Sequence, residues 1–201
     1  MKSVTPVVTL TVAEYLDSER ASPVRREYVA GQICSMAGAS DAHNTIALNL
    51  ATLLRSHVRG GPCRVYMSGM KVRVESADVF YYPDVLVTCD PEDSGRYVKT
   101  CPSLIVEVTS PSTTLTDHRE KLLAYRKLAS LREYILIAQH EMKIEMYRRD
   151  ARGHWWLETF GPGQSFELES VNFVVAVKDL YEDVVLRPWP DDEPEPPTNP
   201  G

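Results

Sequence analysis

Short apolar runs bounded by turn-forming residues dominate the middle of the chain and predict β-strands. Eight segments have this character: 63–67, 70–75, 84–89, 104–109, 133–138, 142–148, 154–160 and 172–177. Residues 26–36 predict a hairpin with its turn at Ala30-Gly31, and the Pro-, Asp-, Ser- and Gly-containing stretch 89–102 predicts a loop. The runs at 104–109 and 133–138 are apolar at nearly every position, as in strands that are buried on both faces.

Helical spacing and capping residues predict the remaining elements. Thr11 and Glu14 have the spacing of a capping box for a helix that ends near Arg20. Ser40 or Asp41 caps a second helix, and a third helix is expected over about 115–128, with a short one over about 178–183. The apolar positions of the second helix recur at helical spacing: Ile46, Leu50, Leu53 and Leu54. This order predicts an α/β fold with a mixed sheet, in which 104–109 and 133–138 pair in parallel across a helical crossover.

Length and charge limit the organisation of the chain. A chain of 201 residues is long enough for one domain with a sizeable core, and we assign 1–187 to it. Residues 188–201 are rich in proline and acid, so they are expected to form a disordered tail. The net charge is −6, and the acids between 191 and 195 supply −4 of it. The remaining charge disfavours a broad non-specific grip on nucleic acid, but it does not exclude a nuclease.

The chain shows no membrane or export signal. It contains no apolar run of about 18 residues, and the first ten residues lack the apolar core of a signal peptide. The four cysteines, Cys34, Cys63, Cys89 and Cys101, have no metal-binding spacing. We therefore expect a cytoplasmic protein whose cysteines are reduced and packed as small hydrophobic residues.

Three charged residues stand at positions where the pattern predicts buried structure. Asp84 begins one strand, Glu107 lies in the middle of another, and Lys121 lies on the third predicted helix. Burying a carboxylate is costly unless it is paired or bound to a cation. Each residue also has a structural interpretation. Asp84 is then a turn or surface acid, Glu107 pairs with an arginine such as Arg126, and Lys121 forms an exposed pair with Asp117.

Brought together, the two acids and the lysine predict a site for phosphodiester cleavage. The carboxylates of Asp84 and Glu107 are suitable ligands for Mg²⁺ or Mn²⁺. A bound metal neutralises a scissile phosphate and lowers the pKa of a coordinated water. Lys121 would orient or activate that water, or stabilise the charge that develops on the phosphate.

The ordered set of motifs resembles the Uma-two family of restriction endonucleases, within the PD-(D/E)XK nuclease superfamily. The matching pattern is Pro-Asp-Val, Val-Glu-Val-x-Ser-Pro-Ser, Asp-x-x-x-Lys and then Tyr, and it extends over roughly residues 8–187. Arg26-Glu27-Tyr28 with Gly31, His43, and Glu133-Tyr134 match further positions. The resemblance implies a restriction-endonuclease-like fold, with a mixed β-sheet core flanked by helices.

The resemblance also implies roles for individual residues. Asp84, Glu107 and Glu27 would hold Mg²⁺ or Mn²⁺, Lys121 would be the catalytic lysine, and His43 would support the site or bind phosphate. The superfamily's usual lysine position, two residues after the second acid, is Thr109 here, so the lysine would come from the following helix. DNA is the implied substrate and a homodimer the implied assembly. Residues 137–140 lack the Val-Asp-Pro that is frequent in the family, and the missing acid is expected to be structural.

Two other functions compete with a DNA endonuclease. The weak negative charge of the body favours a non-catalytic module on a nuclease-like fold, which binds DNA or a protein partner. A metal-dependent hydrolase of RNA or of a smaller phosphoester would need the same residues. The presence of both acids and the lysine favours the endonuclease.

Overall fold

The computed structural model describes residues 9–36, 38–109 and 116–187 as an α/β fold of mixed sheets and four α-helices. The expected tail, 188–201, lies outside the described residues, as do the first eight residues of the expected domain. The helices are α1 (Val12–Ala21), α2 (Asp41–His57), α3 (Leu122–Tyr125) and α4 (Val177–Leu180). The strands are β1 (Arg26–Val29), β2 (Gln32–Ser35), β3 (Arg64–Met67), β4 (Lys71–Val74), β5 (Val79–Tyr81), β6 (Val85–Thr88), β7 (Val98–Lys99), β8 (Leu104–Thr109), β9 (Glu133–Ala138), β10 (Ile144–Arg149), β11 (Trp155–Phe160), β12 (Ser165–Leu168) and β13 (Phe173–Ala176).

A six-stranded sheet forms the centre of the molecule, with strand order β11-β10-β9-β8-β6-β3. Strands β8 and β9 pair in parallel over their whole length, and the other neighbours in this sheet are antiparallel. The parallel pair confirms the crossover that the sequence predicts. All six residues of β8 and of β9 are buried, as their apolar composition requires.

A second, five-stranded sheet has the order β2-β1-β5-β4-β7. Its β1–β2 hairpin confirms the prediction for 26–36. The turn residues Ala30 and Gly31 both have positive φ, which matches the right-handed twist of the flanking strands. Strands β5 and β7 were not predicted, because β5 has only three residues and β7 two residues within a segment of turn formers.

The C-terminal strand pairs differently from the prediction. Strand β13 does not extend the central sheet, and it forms a separate two-stranded sheet with β12, which the sequence pattern did not reveal. The alternation of Phe166 and Leu168 with exposed neighbours explains the pairing, because one face of β12 packs on the core while the other meets solvent.

The central sheet carries a hydrophobic core on each face. Val85 and Val87 of β6 point to the face that packs against α2, α4 and the β12–β13 pair. Leu86, between them, points to the opposite face, where the five-stranded sheet and α3 pack. Because side chains alternate along a strand, every second residue of β6 and β8 lies in the space between the two sheets.

The helix termini follow the sequence signals except in the third helix. Thr11 and Glu14 form the capping box of α1, and Ser40 caps α2. The helix expected over 115–128 begins with a π-helical turn, Thr116–Lys121, and α3 ends at Tyr125. Beyond it, Lys127 and Leu128 donate their backbone N–H groups to carbonyls three residues earlier, which tightens the last turn and ends the helix. Residue 115 lies outside the described residues.

The expectation of four reduced cysteines is wrong for two of them. Cys63 and Cys89 form a disulfide with an S–S distance of 2.00 Å. The β3–β6 register pairs Arg64 with Thr88, so the next position outward places these two cysteines directly opposite each other. Cys34 and Cys101 are free, and Cys34 is exposed rather than packed in the core.

Of the helices in the described ranges, none is long and apolar enough to cross a membrane.

A buried ionic network fastens β9 and β10 to the turn between β12 and β13. The Glu133 side chain is inaccessible to solvent, and its carboxylate accepts the backbone N–H groups of Glu169 and Ser170 at 3.0 Å each. Arg148 lies opposite Glu133 in the β9–β10 ladder and forms ion pairs with Glu133, Glu158 and Glu169. Glu133 therefore has a structural role.

Replacement of Glu133 by glutamine is expected to lower the free energy of unfolding by about 3 kcal/mol, because the buried Arg148 loses a charged partner and two N–H groups lose a charged acceptor. Urea denaturation measures this change. Glu167→Gln is the matched control, since Glu167 lies in the neighbouring strand with its side chain exposed, and a change within about 0.5 kcal/mol is expected. Equal effects of the two substitutions would contradict the assigned role.

Candidate active site

Asp84 directly precedes β6, beside the strand β8 that carries Glu107. The β6–β8 ladder begins with Val85 opposite Val106, and Asp84 Oδ2 accepts the backbone N–H of Val108. Glu107 alternates with residues of the α2-facing core, so its side chain points into the space between the two sheets, whereas Asp84 contacts His43 of α2. Asp84 is 8% exposed and Glu107 is 3% exposed. The structure therefore brings the two predicted acids together in a nearly dry environment.

Glu107 is held by a lysine and a tyrosine from the segment that follows β8. Its Oε1 atom accepts hydrogen bonds from Lys121 Nζ and from the Tyr125 hydroxyl, both at 3.1 Å. The alternative partner considered from sequence, Arg126, instead places its guanidinium over the ring of Trp155. A cation and a neutral donor on one oxygen stabilise the ionised carboxylate, which burial alone would disfavour.

Lys121 is the central cation of the site. It ends the π-helical turn, is 7% exposed, and lies 3.3 Å from Glu27 Oε1 as well as 3.1 Å from Glu107 Oε1. The ammonium also lies 5.4 Å from the ring centre of Tyr81, within the range of a cation–π contact. The interpretation of Lys121 as an exposed helical ion pair is therefore wrong. π-Helical turns are frequent at functional sites, because they change the direction in which a side chain points.

Glu27 comes from the five-stranded sheet. It lies in β1, and its Oε1 atom accepts the backbone N–H of Tyr82 at 3.0 Å in addition to its contact with Lys121. Tyr82 lies two residues before Asp84 in the chain. Glu27 thus joins the two sheets at the point where the chain passes from β5 to β6.

His43 reaches Asp84 from the N-terminus of α2. Ser40 caps this helix by accepting the backbone N–H of His43 at 3.1 Å. The His43 Nε2 atom lies 3.2 Å from Asp84 Oδ2, which also accepts the backbone N–H of Val108 at 2.7 Å. Among the described residues the buried His43 Nδ1 has no hydrogen-bond partner. His43 therefore contacts the first acid with one ring nitrogen.

The five residues predicted for the site form two groups. Asp84 and His43 form one group, and Lys121 with Glu27 and Glu107 forms the other. The backbone connects them, because Asp84 Oδ2 accepts the N–H of Val108, the residue after Glu107. Glu27 and Glu107 share the single Lys121 ammonium, while Asp84 contacts His43. The two acids around one ammonium leave an excess of negative charge, and such an excess in a buried space favours a cation.

Tyr125 belongs to the site although it was not predicted as a site residue. It is fully buried, and its hydroxyl contacts the same Glu107 oxygen that Lys121 contacts. Burial, with the charge of Glu107 as the next cause, raises the pKa of Tyr125 well above its usual range, so the hydroxyl stays protonated and acts as a donor. Its spacing, four residues after Lys121, is a sequence signal for this contact, because such residues lie on the same face of a helix.

The donor chemistry fits a hard divalent cation. Glu27 and Glu107 already direct one oxygen each toward a single cation, the Lys121 ammonium, and carboxylate oxygens are the ligands that Mg²⁺ and Mn²⁺ prefer. In the part of the chain that the structure describes, no three Asp, Glu, His or Cys side chains are grouped closely enough to hold a metal ion. The acidic side chains therefore suit a divalent metal by type and charge. In this structure the Lys121 ammonium lies between two of them, Glu27 and Glu107.

Comparisons with known proteins identify the family of this chain. Residues 12–178 match the Uma2 family, which is described as "Putative restriction endonuclease". Two proteins of Synechocystis sp. (strain PCC 6803), both named as uncharacterized, are each 34% identical to this chain. The first alignment covers 88% of this chain and 93% of the relative, and the second covers 80% and 92%.

A solved structure shares the fold. It is the crystal structure of a "putative nuclease belonging to DUF820" from Anabaena variabilis, with a TM-score of 0.71 and 19% sequence identity. The match covers 88% of this chain and 99% of that protein, so the nuclease-like fold extends over nearly all of both. The matched segment, 12–178, spans every residue of the site described above, and the chain belongs to the Uma2 family.

Proposed function

We propose that this protein is a metal-dependent endonuclease that hydrolyses phosphodiester bonds in DNA. The observation that carries the proposal is the buried ion pair between Glu107 and Lys121, next to a second buried acid, Asp84, that accepts the backbone N–H of Val108. Membership of a family described as restriction endonucleases supports the same reaction class.

Each residue has a defined task in this proposal. Asp84 and Glu107 would hold Mg²⁺ or Mn²⁺, with Glu27 as a further acidic ligand. A metal ion in such a site neutralises charge on the phosphate and lowers the pKa of a bound water. Lys121 directs its ammonium at the developing negative charge or orients the attacking water. Tyr125 keeps the Glu107 carboxylate in a fixed orientation through its hydroxyl.

His43 would act as a positioning residue for Asp84, because its Nε2 contact fixes the carboxylate. Groups that orient a metal-binding carboxylate typically change metal affinity tenfold or more when they are removed.

Substitution of the central residues is expected to abolish metal-dependent cleavage. Asp84→Asn, Glu107→Gln and Lys121→Met should each lower the rate of plasmid cleavage in Mg²⁺ or Mn²⁺ by at least about a hundredfold, since each removes a charge that acts on the reacting phosphate. Circular dichroism checks that the fold survives. Glu92→Gln, at an exposed loop position, is the control and should cut at the wild-type rate. Wild-type rates in all three site variants would refute the assignment.

Metal binding is expected to depend on Asp84 and Glu107. Titration calorimetry with Mn²⁺ should give a binding signal for the wild type, and the signal should disappear in the variant that combines Asp84→Ala with Glu107→Ala. A repeat with a short DNA duplex covers the case in which substrate phosphate completes the coordination shell. A wild type that binds no metal under either condition would favour the non-catalytic DNA-binding or protein-interaction module instead.

Replacement of His43 by alanine is expected to weaken Mn²⁺ binding by about tenfold, because Asp84 loses the side chain that orients it. Asn44→Ala is the matched control on the same helical turn, since the Asn44 amide donates to the carbonyls of Ala39 and Ser40 and does not contact Asp84. Unchanged Mn²⁺ affinity in His43→Ala would contradict the positioning role.

We also propose that the chain acts as a homodimer, because two symmetric copies would place two sites on the two strands of a duplex. In the strand β13, Val175 is buried in the core and Val174 is 62% exposed. Light scattering after size exclusion measures the mass of the particle, and two chains per particle are expected.

A further inference from the structure

We propose that the Lys121 ammonium occupies the place of the metal in the metal-free protein, and that metal binding displaces it. This inference rests on the proposed function and concerns the same site. It gives Lys121 a second task before any reaction: it keeps the acidic site folded and electrically balanced until a divalent cation arrives.

The ammonium occupies the position that a metal bridging Glu27 and Glu107 would take. Lys121 Nζ lies 3.3 Å from Glu27 Oε1 and 3.1 Å from Glu107 Oε1, so it stands between the two carboxylates. A Mg²⁺ ion binds carboxylate oxygens at about 2.0–2.1 Å. An ion that bridged these same two oxygens would enter the space of the ammonium, and two cations in contact repel strongly in a buried environment. A metal in this bridging position would therefore displace Lys121.

The burial of the site explains why a substitute cation is needed. Glu107 is 3% exposed, and a carboxylate removed from water without a partner is strongly destabilising. The Lys121 ammonium supplies the compensating charge. It also gains a favourable cation–π contact with the ring of Tyr81, whose centre lies 5.4 Å away. In the described structure Lys121 is thus stored in an ion-pair network and is not presented to solvent, where a DNA phosphate would approach.

Displacement couples metal binding to the presentation of Lys121. Once a divalent ion balances Glu27 and Glu107, these two contacts no longer hold the ammonium in its buried position, and it can turn toward a phosphate oxygen. The metal-free site would then be unable to offer its lysine to substrate. This coupling prevents the positive charge from holding DNA in the absence of the metal.

The accessibility of the Lys121 amine tests the displacement directly. The wild-type protein, without DNA, is exposed to a short pulse of an amine-acetylating reagent at increasing Mg²⁺ concentrations, and mass spectrometry quantifies acetylation at each lysine. Lys121 acetylation is expected to rise several-fold, with the same midpoint as Mg²⁺ binding measured by calorimetry. Lys99 is the matched control, since it is also buried, at 4% exposure, and donates to a backbone carbonyl rather than to an acid, so its acetylation should stay constant.

The outcomes separate this inference from the proposed function. If the protein binds Mg²⁺ while Lys121 acetylation stays at its metal-free level, the proposed displacement of Lys121 is wrong. The proposal of a metal site is not contradicted by that result. If Lys99 rises together with Lys121, the change is a general opening of the fold, and the inference is also overturned. If no Mg²⁺ or Mn²⁺ binds, even with a short duplex, the proposed function fails and this inference fails with it.

Variants at Lys121 supply an independent measurement. Lys121→Gln removes the competing charge, so Mn²⁺ should bind about tenfold more tightly than to the wild type. Lys121→Arg keeps the charge between the acids, so its Mn²⁺ affinity should stay near that of the wild type. Tighter binding to the glutamine variant alone supports the competition, whereas weaker binding to a folded glutamine variant would show that Lys121 helps to hold the metal.

Discussion

A carboxylate buried in the middle of a sheet is the constraint on which the rest of this site depends. Glu107 lies on a strand whose other residues pack into hydrophobic cores on both faces, and an ionised side chain is costly there without compensation. Lys121 and Tyr125 supply that compensation from the segment after β8. The requirement to pair Glu107 therefore fixes where the π-helical turn and α3 lie, and Lys121 in turn draws Glu27 of the second sheet toward the central one.

A second buried carboxylate, that of Glu133 at the start of β9, is also compensated by its neighbours, but by neighbours of a different kind. Glu133 is as deeply buried as Glu107, but its oxygens are taken up by backbone N–H groups and by Arg148, a side chain that several acids hold in place. That network fastens a two-stranded sheet to the central one. Glu107 instead faces a lysine on a short helical turn. The difference between a structural and a candidate catalytic acid thus lies in the partners, since burial is shared by both.

The net negative charge of the chain is unfavourable for binding DNA. The chain carries −6 overall, so long-range attraction to a polyanion is weak. In the proposed nuclease, the acids of the site would repel a phosphate until a divalent ion neutralised them. A metal-dependent nuclease with this charge distribution would bind DNA productively only after loading, which agrees with the proposed displacement of Lys121.

The sequence by itself determined the strands of the central sheet, the parallel pair β8–β9 and the first hairpin, because apolar periodicity and capping are local signals. It also singled out Asp84, Glu107 and Lys121 as charged residues in buried segments, and all three are buried. It could not determine that Lys121 is buried rather than exposed, that Glu107 pairs with Lys121 and Tyr125 rather than with Arg126, or that Cys63 meets Cys89. It also missed β5, β7 and β12, whose short runs carry little periodicity. Each of these features depends on which distant segments pack together, and only the tertiary structure decides that, since the energy of a buried charge is set by neighbours far away in the chain.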